Sequence, residues 1–347
     1  IAHGETKSSV NLRLGLQVDL RVIPRKSYGA AMLYFTGSKA HNVAIRRIAQ
    51  EQEYKINEYG IYHGETWKVG RTEEEMYRQI GLSYIEPELR ENRGEMEAAQ
   101  NNTLPKLLTM QDIKGDFQSH TKASDGKFTL EEMAEGASKM GYEYFSITDH
   151  SKRVTMANGL DEKRLGQHIE AVDRLNESLQ DIKILKSVEV DILEDGRLDL
   201  SDDILKELDI VVVAIHYNMN LSREKQTNRV LKAMESPYFH ILAHPTGRMI
   251  GKREGYELDM EKILDAAAEK GCFMEINAAP DRLDLSDIYA RMAKDKGVKM
   301  ALSTDAHNLD NLGYMRFGIN QARRAWLESK DVINTYSWKE LKRMIPG

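Results

Sequence analysis

Residues 115–126 read GDFQSHTKASDG. The first half reads as a short strand, GDFQSH, running into a polar loop that ends in SDG. Gln118 and His120 stand two apart, so on a strand they face the same side. Asp125 follows in a loop able to fold back over them. One His and one Asp decide nothing, but the arrangement recurs. Strands are expected at 116–120, 144–148, 184–190, 210–216, 240–244, 273–276 and 299–303. At their carboxyl ends stand Gln118 with His120, Asp149 with His150, Glu189, His216, His244, Glu275 with Asn277, and Asp305 with His307.

Helical patterns lie between most of these strands. Thr129 with Glu132 forms a capping box that opens the helix after SDG. Residues 259–270 and 285–296 are amphipathic and stop at Gly271 and Gly297, as helices do. Strands alternating with helices indicate an α/β fold with parallel strands. An open doubly wound sheet is one solution. A barrel fits better, because ligands at the ends of nearly all strands must converge, and a barrel's carboxyl-end rim makes them do so.

Upstream, residues 9–23 alternate, with Val18, Leu20 and Val22 on one face and Asp19 and Arg21 on the other, as in a half-buried strand. Tyr34-Phe35-Thr36-Gly37-Ser38 reads as a turn, followed by a helix over 41–50. Residues 56–60 read as a short strand and turn. Thr72 with Glu75 looks like a capping box for a helix through Ile80. Pro87 and the polar stretch 90–102 read as a linker, and the second domain is expected to start near Lys114.

A chain of 347 residues has room for two or three cores. Its 41% apolar and 30% charged composition is that of a globular protein. The longest apolar runs, such as IVVVAI before His216, are too short to cross a bilayer, so no membrane association is expected. The single cysteine, Cys272, excludes an internal disulfide and fits a reducing cytoplasm. The chain opens on Ile1 without a signal pattern, as an N-terminally truncated fragment would. Residues 1–50 carry a net +6 and the remainder −12. A basic front and acidic rear suit a polyanion-binding module joined to a metal-binding one, although a solvated charged surface would look similar.

Five of the ten histidines fall at the expected strand ends. A lone His there more often caps or packs than ligates; the joint pattern is what points to metal. His120, Asp125, His150, Glu189, His216, His244, Asp305 and His307 offer imidazole nitrogens and carboxylate oxygens, with Gln118 a weaker donor. One ion takes about four to six ligands, so two or three ions are implied. Such clusters suit phosphoester hydrolysis, one ion acidifying water and a pair clamping the attacking and leaving oxygens. His3, His41, His63 and His168 lack this context and read as structural or surface residues, and His240 as the start of its strand. Asp149 could orient an imidazole. Asn277 could bond a ligand or end a strand.

The motifs GDFQSHTKASDG, SITDHS, SVEVDIL, AIHYN, AHPTGR, EINAAP and STDAHN, in that order, resemble the PHP (polymerase and histidinol phosphatase) domain. The resemblance implies a distorted (β/α)7 barrel over 114–347 with a trinuclear metal site. Its nine ligand positions fall on Gln118, His120, Asp125, His150, Glu189, His216, His244, Asp305 and His307. Gln118 departs from the usual HxH opening. A neutral amide binds metal more weakly than imidazole, so its ion is expected to be the loosest. HGETK, QVDLRVIP, YFTGSKAHN and INEYGIY resemble the end of the palm (1–50) and the thumb (51–95) of family X DNA polymerases, with 96–113 as linker. That likeness implies Asp19 as the third polymerase metal carboxylate, working with Mg or Mn. It also implies Arg21, Tyr34, Phe35, Gly37 and Asn42 around an incoming dNTP. The paired carboxylates of an earlier palm strand would lie upstream of Ile1. The chain alone is therefore expected not to polymerise DNA, although its parent is.

The combination is the layout of bacterial and archaeal family X polymerases. It implies a metal-dependent phosphoesterase, a 3′→5′ exonuclease acting on DNA (single-stranded or gapped, at 3′ ends) in base-excision repair. Mn is the expected working ion, with Zn or Fe compatible. His120, His150 and Asp305 would be catalytic, and Arg248, in the loop after His244, would reach a substrate phosphate. A histidinol-phosphatase type of small-molecule phosphatase and a non-catalytic DNA-binding metal module are the alternatives.

Overall fold

The computed structural model describes residues 2–345. It divides into two compact units, Ile1–Pro105 and Lys106–Gly347.

The first unit opens with an antiparallel sheet of β1 (Ala2–His3), β2 (Lys7–Asn11) and β3 (Gln17–Arg21). Helices α1 (Tyr28–Thr36) and α2 (Lys39–Glu51) follow. A second antiparallel sheet comprises β4 (Tyr54–Asn57), β5 (Gly60–His63) and β6 (Thr66–Val69), before α3 (Glu73–Gln79) and α4 (Glu95–Gln100). Ser38 caps α2 by accepting from His41 N–H, and Thr72 caps α3 by accepting from Glu75 N–H. The Glu75 carboxylate accepts from Arg71 N–H. Three expectations change here. The alternating strand is not half-buried: Val18, Leu20 and Val22 are 41%, 65% and 60% exposed. Tyr34–Thr36 are the last turn of α1 rather than a turn, because Ala30, Ala31 and Leu33 bury its inner face. The stretch from residue 96 is no simple tether, since Ala98 and Ala99 of α4 are buried and the units part after Pro105.

A buried polar network holds α2, α3 and α4 together. His41 Nδ1 lies 2.8 Å from Glu95 Oε1 and its Nε2 2.8 Å from the Tyr77 hydroxyl. Glu95 also accepts from the backbone N–H groups of Asn92 and Arg93. His41 is thus structural: each buried polar atom has a partner, as burial demands.

In the second unit seven parallel strands alternate with helices. They are β7 (Gly115–Asp116), α5 (Leu130–Lys139), β8 (Tyr144–Ile147), α6 (Glu162–Ser178), β9 (Lys183–Asp191), α7 (Asp202–Leu205) and β10 (Ile210–Ala214). Then come α8 (Arg223–Ala233), β11 (Ile241–Leu242), α9 (Met260–Lys270), β12 (Phe273–Asn277), α10 (Asp287–Asp295), β13 (Met300–Ser303), α11 (Met315–Arg324) and α12 (Trp338–Leu341). Strand order follows chain order from β7 to β13. A parallel bridge between Ser119 and Ala306 brings the first strand's extension to the last, with His120 N–H donating to Ala306 O. At the other end the buried Asn334 amide spans the same seam. It donates to Gly115 O and Leu302 O and accepts from Leu302 N–H. The result is a nearly closed barrel.

Period-two alternation sorts its side chains. Ile210, Val212 and Ala214 join Phe117, Tyr144, Leu185 and Ile241 in an inner core closed below by Ile333 and Leu341. Val211, Val213 and Ile215 pack outward with the helices. The expected capping box is present at Thr129 and Glu132. Gly271 closes α9 in the left-handed region, where glycine carries no steric cost.

Candidate metal centre

The carboxyl ends of the barrel strands bring the candidate ligands to one place. Gln118 and His120 follow β7 in extended chain and are both fully buried. Asp125 returns over them because Gly126 packs where a Cβ would strike the His120 carbonyl. Asp149 serves that loop rather than an imidazole of the cluster: it accepts from Thr121 N–H and Oγ1–H and from Ser124 N–H. His244 and Asp305 sit at φ +28° and +54°, a region costly for residues with a side chain and frequent at functional sites.

Three carboxylates knit five imidazoles together. Glu189 Oε1 lies 2.9 Å from His244 Nε2 and 3.5 Å from His216 Nε2. Its Oε2 lies 2.9 Å from His150 Nδ1 and 3.7 Å from His120 Nε2. Asp125 stands 3.6 Å from His150 and 3.5 Å from His307. Asp305 Oδ1 is 3.1 Å from His120 Nε2. His120, Asp125, His150 and His307 form one ion-sized group, and His150, Glu189 and His216 a second.

The residues fit divalent ions on their orphan atoms. Both polar atoms of Gln118 and Nδ1 of His120 and of His244 are buried without a hydrogen bond. Each such atom costs about 1–3 kcal/mol when left unpaired. Unpaired imidazole nitrogens and an amide oxygen are poor packing but good ligand atoms, and a nitrogen–oxygen set without sulfur suits Mn, Zn or Fe.

Charge agrees. Burial alone would lower His150, yet Glu189 and Asp125 push it up to about 11. Burial opposes protonation of His216 and His307 too, and their neighbouring carboxylates raise each to about 9. Burial would raise Glu189, but His150 and His216 hold it well below the usual carboxylate range. The carboxylates thus keep positive charge in the pocket, and incoming cations must displace those imidazole protons.

Supporting residues surround the cluster. Asp191 accepts from His216 N–H at 2.9 Å and lies 3.3 Å from its Nδ1, fixing that ring. Burial first, then the nearby Asp305, raises Glu275 well above the usual carboxylate range, and it accepts from His244 N–H. Asn277 donates to Asp305. His240 Nδ1 accepts from Val211 N–H within the barrel. His168 is buried 3.8 Å from Asp149, His63 lies 3.7 Å from Glu53, and the His3 side chain falls outside the described residues.

A cavity of about 300 Å³ opens onto the ligands, lined also by Val154, Met156, Ala157 and Arg282. Arg248, expected to reach a phosphate, does not line it. Its guanidinium donates to the carbonyls of Arg282 and Leu283 and braces that loop. The guanidinium in the cavity is that of Arg282, with Nε 3.5 Å from Asp305. Its sequence signal is the one that found the ligands: polar chemistry just past a strand's carboxyl end, here five residues after Asn277.

In the first unit, Asp19 on β3 pairs with Lys7 at 2.9 Å and accepts from Gln17. Hydrogen bonds from Ser9, Lys7 and Gln17 hold its carboxyl below the usual range. Arg21 lies over the Phe35 ring at 5.0 Å, and both line an apolar groove with Ile23, Tyr28 and Met32. Asn42 donates to Tyr34 O, so its amide ties α2 to α1. Gly37 ends α1 at φ +73°.

Residues 31–91 match the DNA polymerase beta thumb family, and residues 116–279 the PHP domain. The chain is 40% identical over 349 aligned residues to the "DNA polymerase/3′-5′ exonuclease PolX" of Bacillus subtilis, covering 99% of this chain and 61% of that protein. It thus spans about three fifths of that relative's length. It is 33% identical to a probable phosphatase of Thermoanaerobacter sp. (strain X514), over 67% of this chain and 97% of that protein. A probable phosphatase of Caldanaerobacter subterraneus is also 33% identical, over 63% and 86%. With a polymerase-beta-type thumb and a PHP barrel in succession along one chain, the protein belongs to the PHP-bearing family X DNA polymerases.

Proposed function

We propose that the chain is a metal-dependent phosphoesterase acting on DNA 3′ ends, the 3′→5′ exonuclease part of a family X polymerase serving base-excision repair. The observation that carries this reading is the convergence of four imidazoles and three carboxylates on one cavity that also holds a guanidinium, with His120 grouped behind them. Gln118, His120, Asp125, His150, Glu189, His216, His244, Asp305 and His307 would hold the ions, Mn for activity with Zn or Fe compatible. Bound there, divalent ions supply Lewis acidity toward a phosphoryl oxygen and an acidified water. The chain's own groups do the rest. Glu189 and Asp125 set the spacing of the imidazoles. Asp191 fixes the His216 ring. Arg282, with Nε 3.5 Å from Asp305, offers N–H groups to a phosphoryl oxygen.

The Thermoanaerobacter relative favours a second reading, a phosphatase for small phosphomonoesters. For the whole protein, 1–50 would serve as palm end, 51–95 as thumb and 114–347 as the PHP domain. Asp19, Arg21, Tyr34, Phe35, Gly37 and Asn42 would face a dNTP, with DNA as partner. Among the described residues no helix is long and apolar enough to cross a membrane, and the cytoplasm is the proposed location. The test is turnover of single-stranded DNA against histidinol phosphate, with chelation and Mn add-back. Expected is Mn-dependent DNA cleavage that His150→Ala and Asp305→Ala abolish while circular dichroism is unchanged. Retained cleavage in those variants, or preference for histidinol phosphate, overturns the proposal.

A further inference from the structure

One wall of the metal cavity belongs to the loop after β8. Val154, Met156 and Ala157 line it, the first and last buried. Met156 is 94% exposed, and among the described residues no other exposed large apolar side chain lines that cavity. Single exposed apolar residues need no explanation, but this one stands at the mouth of a charged cavity on a braced loop. Ser151 and Leu160 bridge the loop's base. Arg153 N–H donates to Asp199 at 2.7 Å. Arg164 of α6 donates to the carbonyls of Asn158, Gly159 and Ala123 at 2.8, 2.9 and 2.6 Å. The methionine is therefore presented by a fixed support. Three residues before Met156, the Arg153 guanidinium lies over the Tyr217 ring, 5.1 Å from its centroid, linking this loop to the one after β10. Tyr217 directly follows the ligand His216.

We infer that Met156 and the Arg153–Tyr217 pair form the rest for the base of the nucleotide being removed, at the rim of the ligand cluster. The inference rests on the reading of the cavity as a DNA phosphoesterase site. A nucleobase offers a flat π-face. Thioether sulfur, an aromatic ring and a guanidinium plane each favour such a face, and none reads a base edge. The platform would therefore accept any base yet demand that one be present. A phosphate ester without a ring would gain nothing from it.

The test uses two Mn-supplemented single-stranded oligonucleotides, one ending 3′ in a normal nucleotide and one in a tetrahydrofuran residue without a base. The wild type should cut the normal end with kcat/KM about tenfold higher, given the usual weight of one stacked base. Met156→Ala and Tyr217→Ala should each reduce that ratio toward one by slowing the normal end alone, and Met156→Leu should largely keep it. Equal rates on both ends in the wild type overturn the inference without recourse to a variant. So does an undiminished ratio in both alanine variants. No cleavage of either oligonucleotide by the wild type overturns the phosphoesterase reading, a distinct result that removes the inference with it.

Discussion

Gln118→Leu should change sign with metal. The Gln118 side chain is fully buried, and neither its carbonyl oxygen nor its amide nitrogen has a hydrogen-bond partner among the described residues. In metal-free protein such an amide costs roughly 1–3 kcal/mol. Leucine has similar bulk and no polar atom, so the substitution should stabilise the metal-free chain by about that amount. For a unit of this size each kcal/mol moves Tm by roughly 2–4 °C. In excess Mn the balance turns. Ligand binding stabilises the fold by RT ln(1 + [L]/Kd), so a tenfold weaker ion removes about 1.4 kcal/mol. The gain should then vanish or become a loss. The measurement is urea unfolding of both proteins, stripped by chelator and again in excess Mn. The same shift in both buffers would show that Gln118 takes no part in ion binding. Destabilisation in the stripped protein would show that its amide is already satisfied.

Two further outcomes follow from the same geometry. Arg282→Ala should lower kcat/KM on single-stranded DNA by roughly 10- to 100-fold, the weight of a charge-assisted bond, with metal content by elemental analysis unchanged. Arg282→Lys should recover only part, because a point charge does not replace a planar fork, and full activity in Arg282→Ala would remove Arg282 from the reaction. Asn334→Ala should cost about 3 kcal/mol or more in urea unfolding, since it strands Gly115 O and both polar groups of Leu302 at the barrel seam; a loss under about 1 kcal/mol would mean that the seam closes without it.

What the sequence discloses depends on how locally each feature is determined. The strands that carry Glu189 and lead to His120, His150 and His216 were legible because alternation and burial act over a few residues, and parallel strands bury both faces. Legibility fails where the backbone departs from its period. Leu242 packs outward and β11 ends there, so His244 reaches the cluster through a positive φ that no residue type announces. The two arginines show the same limit. Arg248 and Arg282 both follow strand ends, and nothing local separates them. Position is decided by the 282–283 carbonyls, which capture Arg248 and belong to a loop whose Leu283 has φ +45°. The hairpin of β2 and β3 fails differently. Alternation reports that one face of β3 is apolar, not that anything covers it, and Leu20 is exposed despite a faultless pattern.

The two kinds of miss bear differently on chemistry. An exposed strand face in the first unit leaves the metal cluster untouched. The exchange of Arg248 for Arg282 moves the proposed phosphate contact onto a side chain whose Nε lies 3.5 Å from Asp305. A guanidinium this close to a site for several cations is repelled once they bind, because like charges in a poorly solvated cavity interact strongly. It is stabilised there only while an anion lies among them. The same carboxylates that raise Arg282 above its ordinary pKa against the effect of burial, Asp305 first, would be shared with the ions. A phosphate group restores the balance that the ions upset. Arg282 therefore has a reason to meet substrate when the ions are in place, which Arg248, bonded to its neighbours' carbonyls, does not.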